Sequence, residues 1–568
     1  MEKSCRRIVI TPAHRSAGKD IEYSWYRSPT KFRTAAYPFV LYKKRKQHSL
    51  FKNEEESHTI NMECFSFLIV IFPAITLLFF SLLLCRFYVG KSFKSTHFPP
   101  VMGTIYHQLF YFHDLYDKQT EILRRNPTYR LLNVANSEVY TADPRNAEHF
   151  LKTAFDSYSK GEYNSRPLRD LFGYGIFAVD GEKWRQQRKI ANSSFSGKIM
   201  KLFSCCVFQR SAARMVHIIS DFVVTKQAFD IQDLFSKCTL DSIFRIGVGI
   251  DYNFLKGANK EANEFISAFD EACELVIWRE VDFFWRIKRF LNVGSEAVLR
   301  RSIQTIDKFV YGVIQKKRGQ IAADQGSYRK KEDVLSSCLE ESDVTDRYLR
   351  DILLSLVIAG RDTTANTLSW FIYMMCKNPS IQEKIAQQVR ETVDGGDDGN
   401  AEDFVRRITD STLEKMHYLH AALTETLRLY PSVPVTGKCA DKDDVLPDGY
   451  VVKKGDGIYY VAYAMGRMPY IWGDDAEEFR PERWQQNGVF QPKSQFKFIA
   501  FHAGPRICLG KDLAYRQMKM VAMVLLRFFV FRLEDEKKPV KYRTTFTLHI
   551  DGGLNVHAIS RMGPSLLR

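Results

Sequence analysis

The chain has 568 residues, of which 45% are hydrophobic and 26% are charged, which is enough for several domains or one very large one. Its formal net charge of +16 suits an anionic membrane, an acidic protein partner or nucleic acid, but no zinc-finger spacing, RNA-binding motif or concentrated basic stripe supports nucleic acid. The eleven cysteines show no paired spacing, which argues against a zinc site and favours a reducing compartment.

Residues 1–61 form a basic N-terminal extension without a convincing hydrophobic period. They contain 13 Lys and Arg against 6 Asp and Glu, a net charge of 13 − 6 = +7. Met62 offers an alternative start of translation. We therefore expect this extension to be either untranslated or a dispensable tail.

Residues 62–88 are predicted to be a transmembrane anchor. They contain a run of 21 residues without a charge, Phe65 to Cys85. As a helix this run would extend about 32 Å, enough to cross a hydrocarbon core of about 30 Å. The positive residues Arg86, Lys91 and Lys94 follow, and with a start at Met62 they place the downstream chain in the cytosol.

Residues 89–104 are predicted to be a proline-containing hinge, and residues 105–568 a single catalytic domain. In the hinge, Pro99 and Pro100 favour a stiff, extended path.

Within 105–568, apolar residues at three- and four-residue spacings predict mostly helices. Short strands are expected at 129–143 and 457–465, and a hairpin with a Gly-rich turn at 544–560. The predicted fold class is mainly α with small β-sheets (α+β). The chain has no Gly-rich dinucleotide-binding fingerprint. If its reaction requires electrons, they must therefore come from a separate protein.

Two motifs come first in chain order within the predicted catalytic domain. Trp184 and Arg188 lie on one face of a predicted helix, although an ordinary half-buried surface contact would explain such a pair. AGRDTT, Ala359 to Thr364, ends an apolar helical run, where an acid and two threonines are costly unless hydrogen-bonded. A threonine hydroxyl there can bond a carbonyl of the preceding turn and bend the helix. The alternative is a simple helix end capped by Asp and Thr.

A third motif, ETLR, spaces Glu425 and Arg428 for an ion pair within one helix. Its flanks are apolar, which predicts burial, and a buried arginine needs more than one partner.

The fourth motif, FHAGPRICLG, surrounds Cys508. A lone cysteine is usually an inert apolar filler, but a thiolate that ligates haem iron needs backbone N–H groups aimed at its sulfur. Gly504 and Gly510 would allow a tight turn and close approach to a flat macrocycle, and Phe501 would exclude water. Arg506 would offer a planar donor to a haem propionate.

This stretch fits F-x-x-G-x-R-x-C-x-G at every fixed position, and with the other three motifs in order the chain resembles the cytochrome P450 family from about Pro99 to its C-terminus. The resemblance implies the P450 fold, haem b held by the Cys508 thiolate, and electrons passed from NADPH by a cytochrome P450 reductase. It also implies a single-pass protein of the endoplasmic reticulum membrane whose catalytic domain faces the cytosol.

The resemblance assigns further roles. Trp184 and Arg188 would reach haem propionates, and Arg483 would complete a structural triad with Glu425 and Arg428. Thr363 would hydrogen-bond bound O2, and Asp362 would relay protons through water. The basic residues that flank Trp184, namely Lys183, Arg185 and Lys189, favour docking of an acidic reductase, although a solvated helix face explains them equally well.

Three segments, 446–461, 465–484 and 501–519, resemble plant long-chain fatty-acid ω-hydroxylases. The expected reaction is hydroxylation of the terminal carbon of a fatty acid. The alternatives are a monooxygenase acting on another lipophilic plant metabolite, a haem-thiolate isomerase or dehydratase of fatty hydroperoxides, and a haem sensor or carrier. Thr363 argues against the isomerase, and a proton relay argues against the carrier.

Substrate-pocket candidates follow from the same resemblance. Arg166, Arg169 and Lys438 are candidates for the carboxylate-binding group. The segments expected to line the pocket are Phe172–Val179, Leu354–Ala359, Val433–Val435 and Thr545–Leu548.

Overall fold

The computed structural model describes residues 73–82, 96–134, 136–196, 198–257, 260–323, 333–339, 344–393 and 400–562. The chain divides into two compact units, Met1–Leu78 and Phe79–Arg568. In the first unit the described residues, 73–78, are helical. The second unit contains all four sequence motifs.

The predicted extension at 1–61 and most of the predicted anchor at 62–88 lie outside the described residues. Residues 73–82 of the anchor are helical and expose Ile75 and Leu77. Among the helices that the structure describes, none has both the length and the apolar character needed to cross a bilayer. The transmembrane anchor therefore stays a prediction.

The second unit is mainly helical, as the spacing of its apolar residues predicted. Its longer helices are α1 (Leu115–Arg125), α2 (Gly181–Ser196), α3 (Lys198–Thr225), α4 (Ile231–Val248), α5 (Lys260–Trp278), α6 (Ser295–Ala323), α7 (Asp346–Val357), α8 (Thr363–Lys377), α9 (Pro379–Thr392), α10 (His417–Leu429) and α11 (Lys511–Phe528).

Shorter helical turns connect these helices. The short α-helices are Pro144–Glu148, Gly161–Ser165, Arg169–Phe172, Trp285–Leu291, Val334–Cys338, Ala401–Arg407, Asp410–Lys415, Ala462–Met465 and Pro469–Trp472. The 3₁₀ segments are Ile105–Asp114, Phe155–Ser157, Phe254–Lys256, Pro481–Trp484 and Gly504–Arg506, and the π-helical turns are His149–Thr153 and Ile358–Asp362.

The core is formed where α4, α8, α10 and α11 pack together. Local signals at the two ends of α4 explain where this helix begins and ends. Its N-terminus is capped by Asp230, which accepts a hydrogen bond from the Gln232 N–H. It ends at Gly249, whose φ of +75° favours glycine. In α8, Trp370 and Phe371 are almost fully buried, so this helix is held from several sides.

Strands are few and short. They are β1 (Val101–Thr104), β2 (Thr128–Leu132), β3 (Ser137–Thr141), β4 (Tyr158–Ser159), β5 (Phe229–Asp230), β6 (Val435–Ala440), β7 (Asp444–Val445), β8 (Val451–Val452), β9 (Gly457–Val461), β10 (Gln485–Gln486), β11 (Val489–Phe490), β12 (Phe529–Leu533), β13 (Tyr542–Arg543), β14 (His549–Ile550) and β15 (Asn555–Ser560).

The largest sheet has the order β1-β2-β3-β9-β6-β4, with β2 and β3 antiparallel and β3 and β9 parallel. A second sheet has the order β12-β15-β5, and three further pairs are β10-β11, β13-β14 and β7-β8. Because β1 pairs with β2, the last four residues of the predicted hinge belong to the largest sheet.

The predicted terminal hairpin is wrong. β14 pairs with β13, whereas β15 pairs with β12 and β5, so the strands on either side of the Gly-rich turn separate into two sheets. Gly552 and Gly553 both have positive φ, and they change the direction of the chain between β14 and β15. The strand predicted over 457–465 is also too long, because it ends at Val461 and a helical turn follows.

Candidate active site

Cys508 lies in the loop between the 3₁₀ turn Gly504–Arg506 and the start of α11. Its backbone N–H donates to the Phe501 carbonyl over 2.9 Å, which closes the loop around the thiol. The Phe501 ring packs 5.2 Å from the ring of Tyr515 on α11 and so joins the loop to the core. The motif therefore forms a tight loop with the sulfur at its centre.

The thiol of Cys508 is accessible although protein atoms crowd around it. The residue is exposed, yet burial raises the pKa of its thiol. The Gly510 N–H, Arg188 and Lys511 act against that burial and favour the thiolate. A backbone donor and two cations around a thiol suit an anionic metal ligand.

The two glycines of the loop have different roles. Gly504 has a φ of +67°, and a Cβ there would lie 2.1 Å from the Leu151 carbonyl oxygen. Gly510 has a φ of −85°, which any residue adopts, and a Cβ would lie 3.9 Å from the Cys508 sulfur. Glycine is thus needed at 504 for close backbone packing against Leu151, a reason that the sequence did not reveal.

Arg506 lies beside Trp184, as their shared assignment to the haem propionates requires. Its guanidinium is 4.6 Å from the Trp184 ring and donates to Asp180 over 2.6 Å and to the Val179 carbonyl over 2.9 Å. The Nε atom of Arg506 is buried and has no hydrogen-bond partner among the described residues. The Nε–H group of Arg506 is therefore available to donate a hydrogen bond to a bound group.

Positive charge accumulates around Arg506. The side chains of Lys160 and Lys438 donate to the carbonyls of Gly437 and Tyr158 over 3.3 and 3.0 Å. Burial, followed by the charge of Arg506, lowers the pKa of Lys160 to about 8 and that of Lys438 to about 7. Burial therefore favours the neutral form of both lysines, and a nearby anion would favour their protonated form.

Arg188, on α2, is a partly buried cation whose pKa burial lowers and the nearby Cys508 raises. In the described part of the chain, its side chain has no carboxylate partner. Taken with Arg506, Lys160 and Lys438, it makes four basic side chains around one bonded carboxylate, Asp180. A group with two carboxylates and a thiolate-binding metal, which is what haem is, fits this donor set.

A π-helical turn at Ile358–Asp362 joins α7 to α8, at the AGRDTT motif. The Thr363 hydroxyl is partly exposed and donates to the Ala359 carbonyl over 2.5 Å, and the Arg361 carbonyl accepts from Thr239 over 3.0 Å. A Cβ on Gly360 would lie 2.6 Å from the side chain of Ile243 on α4. The bend is thus stabilised by side chains and by close packing rather than being a capped helix end.

Asp362 is fully buried, with Arg361 Nη1 3.1 Å from one carboxylate oxygen and His549 Nε2 3.7 Å from the other. Burial by itself would raise the pKa of Asp362, but Arg361, His549 and Arg543 together hold it below its usual range. Arg361 also binds Asp270, over 3.1 Å from its Nη2, and the Asp270 side chain is 37% exposed. A chain of charged groups therefore leads from Asp362 towards the surface.

Glu425, Arg428 and Arg483 meet in a buried cluster. Arg428 bonds Glu425 twice, over 2.7 and 2.8 Å, and Arg483 Nε lies 3.3 Å from the same carboxylate. Trp484, at a position where phenylalanine is commoner in the family it resembles, donates its indole N–H to Glu425 over 2.8 Å. The glutamate is thus surrounded by donors.

The segments expected to line the pocket contact one another. The ring of Phe172 packs 5.6 Å from that of Phe546, and a Cβ on Gly175 would lie 2.3 Å from the Ser355 hydroxyl on α7. The Leu548 N–H donates to the carbonyl of Ser432, next to the third segment. Chain regions far apart in sequence therefore meet on one side of α7 and the π turn.

Sequence reasoning missed Asp180, Lys160, Asp270 and His549. Arg361 carried a signal, because an arginine within an apolar helix needs a carboxylate partner. Asp180, Lys160, Asp270 and His549 lie in loops, in a helix and in a short strand that carry no motif, and only their contacts distinguish them. The structure also separates the carboxylate-binding candidates, because it places Lys438 with Arg506.

Comparison with known proteins agrees with this geometry. The family model for cytochrome P450 matches residues 98–554. Cytochrome P450 704C1 of Pinus taeda is 46% identical over 84% of this chain and 95% of its own length. Cytochrome P450 704B1 of Arabidopsis thaliana is 42% identical over 80% of this chain and 93% of its own, and cytochrome P450 86B1 of the same plant is 39% identical over 77% and 79%.

Proposed function

Because the chain belongs to the cytochrome P450 family and is a haem-thiolate monooxygenase, we propose that it hydroxylates long-chain fatty acids at the terminal (ω) carbon. The family holds haem through a cysteine thiolate and receives electrons from NADPH through a reductase. In this chain Cys508 is the ligand that the loop geometry supports. Trp184, Arg188 and Arg506, with Lys160 and Lys438, supply donors and charge for the haem propionates.

Bound haem would supply the activation of dioxygen. The protein's own part is to offset some of the burial that raises the pKa of Cys508, and to deliver protons. The Gly510 N–H, Arg188 and Lys511 favour the thiolate form of Cys508. On the α7–α8 side, Thr363 carries a hydroxyl proton at Oγ1. Asp362 is held ionised beside it in the chain, so it can accept a proton and pass it on.

One observation carries the substrate class: the contact between Phe172 and Phe546. These rings come from two of the segments expected to line the pocket, and Phe172 is fully buried. Two aromatic rings meeting beside α7 give these segments an apolar contact. Apolar side chains in a substrate pocket suit an alkyl chain. The resemblance of 446–461, 465–484 and 501–519 to plant ω-hydroxylases supports the same assignment.

The test uses the full chain, co-expressed with a plant cytochrome P450 reductase in yeast microsomes. Laurate, palmitate and oleate are supplied with NADPH, and the position of any new hydroxyl group is determined by mass spectrometry. We expect ω-hydroxy acids, and none from the Cys508→Ala variant. Intact haem with no turnover of any fatty acid would refute the substrate class, and products hydroxylated only in mid-chain would refute the regiochemistry.

We also infer that the protein is anchored in the endoplasmic reticulum membrane with its catalytic domain in the cytosol. The uncharged run Phe65–Cys85 supports an anchor. In the second unit, Phe110 and Phe290 are 86% and 88% exposed, which suits contact with lipid. The exposed Lys183 and Arg185 suit an acidic reductase on the cytosolic side.

Carbonate washing and protease treatment of intact microsomes test this placement. The full chain should remain in the membrane fraction after the wash, and its catalytic domain should be digested without detergent. Release by carbonate would refute the anchor. Protection of the catalytic domain until detergent is added would refute its cytosolic orientation.

A further inference from the structure

A cationic pocket of about 350 Å³ lies between the short helices Arg169–Phe172 and Trp285–Leu291. Its lining is dominated by arginine, with one carboxylate and one indole. The lining residues are Arg166, Arg169, Asp170, Trp285, Arg286 and Arg289. Four arginines against one aspartate make an anion the natural ligand of this pocket.

The single carboxylate is already engaged. Asp170 binds the buried Arg279 over 2.7 Å and Arg289 over 2.8 Å. Arg279 also pairs with Glu296. Because Asp170 is fixed by Arg279 and Arg289, its carboxylate is not available to neutralise the other arginines of the pocket.

The remaining arginines are less satisfied. Arg169 is paired with Glu162, which is 64% exposed and can be displaced at little cost. Within the described residues, neither Arg166 nor Arg286 has an ion pair or a side-chain hydrogen bond. Both are exposed, and the Arg286 guanidinium lies 5.6 Å from the Trp285 ring. Two guanidinium groups are therefore available to an incoming anion.

The segment that borders the pocket on one side, Arg169–Phe172 with Tyr174 after it, is hydrogen-bonded to α7. Arg350 on α7 donates to the Leu171 carbonyl over 2.7 Å, and Asp351 accepts from the Tyr174 N–H over 2.9 Å. Thr363 follows Asp351 by twelve residues along α7 and the π turn. The segment that borders the pocket therefore packs against the same helical run that leads to the reaction region.

We propose that Arg166 and Arg286 bind the carboxylate of the fatty-acid substrate in this pocket, while the alkyl chain extends towards Thr363. Guanidinium groups bind a carboxylate through paired hydrogen bonds, and Trp285 offers an apolar surface to the first methylenes. This inference rests on the proposed fatty-acid hydroxylase function, and it adds the group that anchors the charged end.

The test compares palmitate with methyl palmitate, which keeps the chain but lacks the charge. Spectral titration of the full-length holoenzyme gives the dissociation constant of each ligand. In Arg166→Gln and Arg286→Gln we expect the constant for palmitate to rise about fivefold to tenfold and that for the ester to stay unchanged. Arg286→Lys, which keeps the charge but loses the planar fork, should give a smaller rise. Arg301→Gln, an exposed arginine on α6, is the matched control and should change neither constant.

Each other outcome overturns the proposal in a distinguishable way. Unchanged palmitate binding in both variants, with palmitate still hydroxylated by the parent enzyme, refutes the carboxylate site and leaves the function standing. Neither binding nor hydroxylation of palmitate by the parent enzyme refutes the function itself. If the variants lose only affinity for vesicles of phosphatidylserine and phosphatidylcholine, the pocket takes lipid headgroups instead of substrate.

Discussion

The Nε2 atom of His549, on β14, lies 3.7 Å from the Oδ2 atom of Asp362, at the π turn between α7 and α8. Arg361 approaches the other oxygen of the same carboxylate. The aspartate is therefore flanked by an arginine from its own turn and an imidazole from a distant strand. Despite burial these groups keep its pKa below the usual range, so Asp362 is ionised at neutral pH.

Asp362→Asn should lower the yield of product per NADPH consumed. The amide keeps the volume of the side chain but cannot accept and release a proton, so proton delivery slows. The measurement is product and hydrogen peroxide per NADPH in reconstituted microsomes. His549→Gln keeps the carboxylate and its Arg361 partner and should lower the yield less. An unchanged yield in Asp362→Asn would show that protons arrive by another route.

Thr363→Ala should keep the haem and its thiolate spectrum but release reducing equivalents as peroxide. The hydroxyl that bends the helix by donating to Ala359 is lost, and so is the proton at Oγ1. Thr363→Ser keeps both and is the matched control, expected to restore most of the product yield. Equal peroxide release from both variants would remove the hydroxyl from proton delivery.

Glu425→Gln should destabilise the fold strongly. The substitution leaves Arg428, Arg483 and Trp484 around a neutral amide, and breaking a buried ion pair costs about 3–5 kcal/mol. Glu482→Gln, which weakens an exposed pair with Lys384, should cost about 1 kcal/mol or less. The free energy of unfolding of each holoenzyme, from guanidinium titration, checks the difference. Similar losses in both variants would contradict the buried cluster.

Stability should fall with acid because of His420. Burial, then nearby lysines, lowers its pKa from 6.5 to about 3, so below about pH 6.5 the unfolded chain binds a proton that the folded chain refuses. The free energy of unfolding therefore decreases as pH falls through this window, by up to about 1.4 kcal/mol per pH unit from this group. His420→Phe, which keeps the stacking on Phe490 and Tyr515, should flatten that dependence.

The control for this pH dependence is His113→Gln, a substitution at an exposed histidine. Guanidinium titrations at several pH values between about 4 and 7 provide the comparison, because the window follows from the lowered pKa of His420. A His420→Phe variant whose stability falls with acid as steeply as that of the parent would show that other groups control it.

Local spacing was enough to predict several features correctly. The family and its haem cofactor follow from FHAGPRICLG with three other motifs in order, because the tight loop around Cys508 is made by neighbours in sequence. The helix bearing Glu425 and Arg428 follows from its apolar period. The prediction of a terminal hairpin was wrong because strand pairing depends on partners far along the chain. In the structure β15 pairs with β12 and β14 pairs with β13, so β14 and β15 do not pair with each other.

Residues close together in sequence were enough to identify a haem-thiolate monooxygenase with a mainly helical fold. Which charges meet, by contrast, depends on how distant parts of the chain pack together. The pairing of Asp180 with Arg506, the placement of His549 beside Asp362 and the pocket shared by Arg166 and Arg286 join segments far apart along the chain. The packing of the helices determines these contacts, and they cannot be predicted from the spacing of residues along the sequence or from its composition.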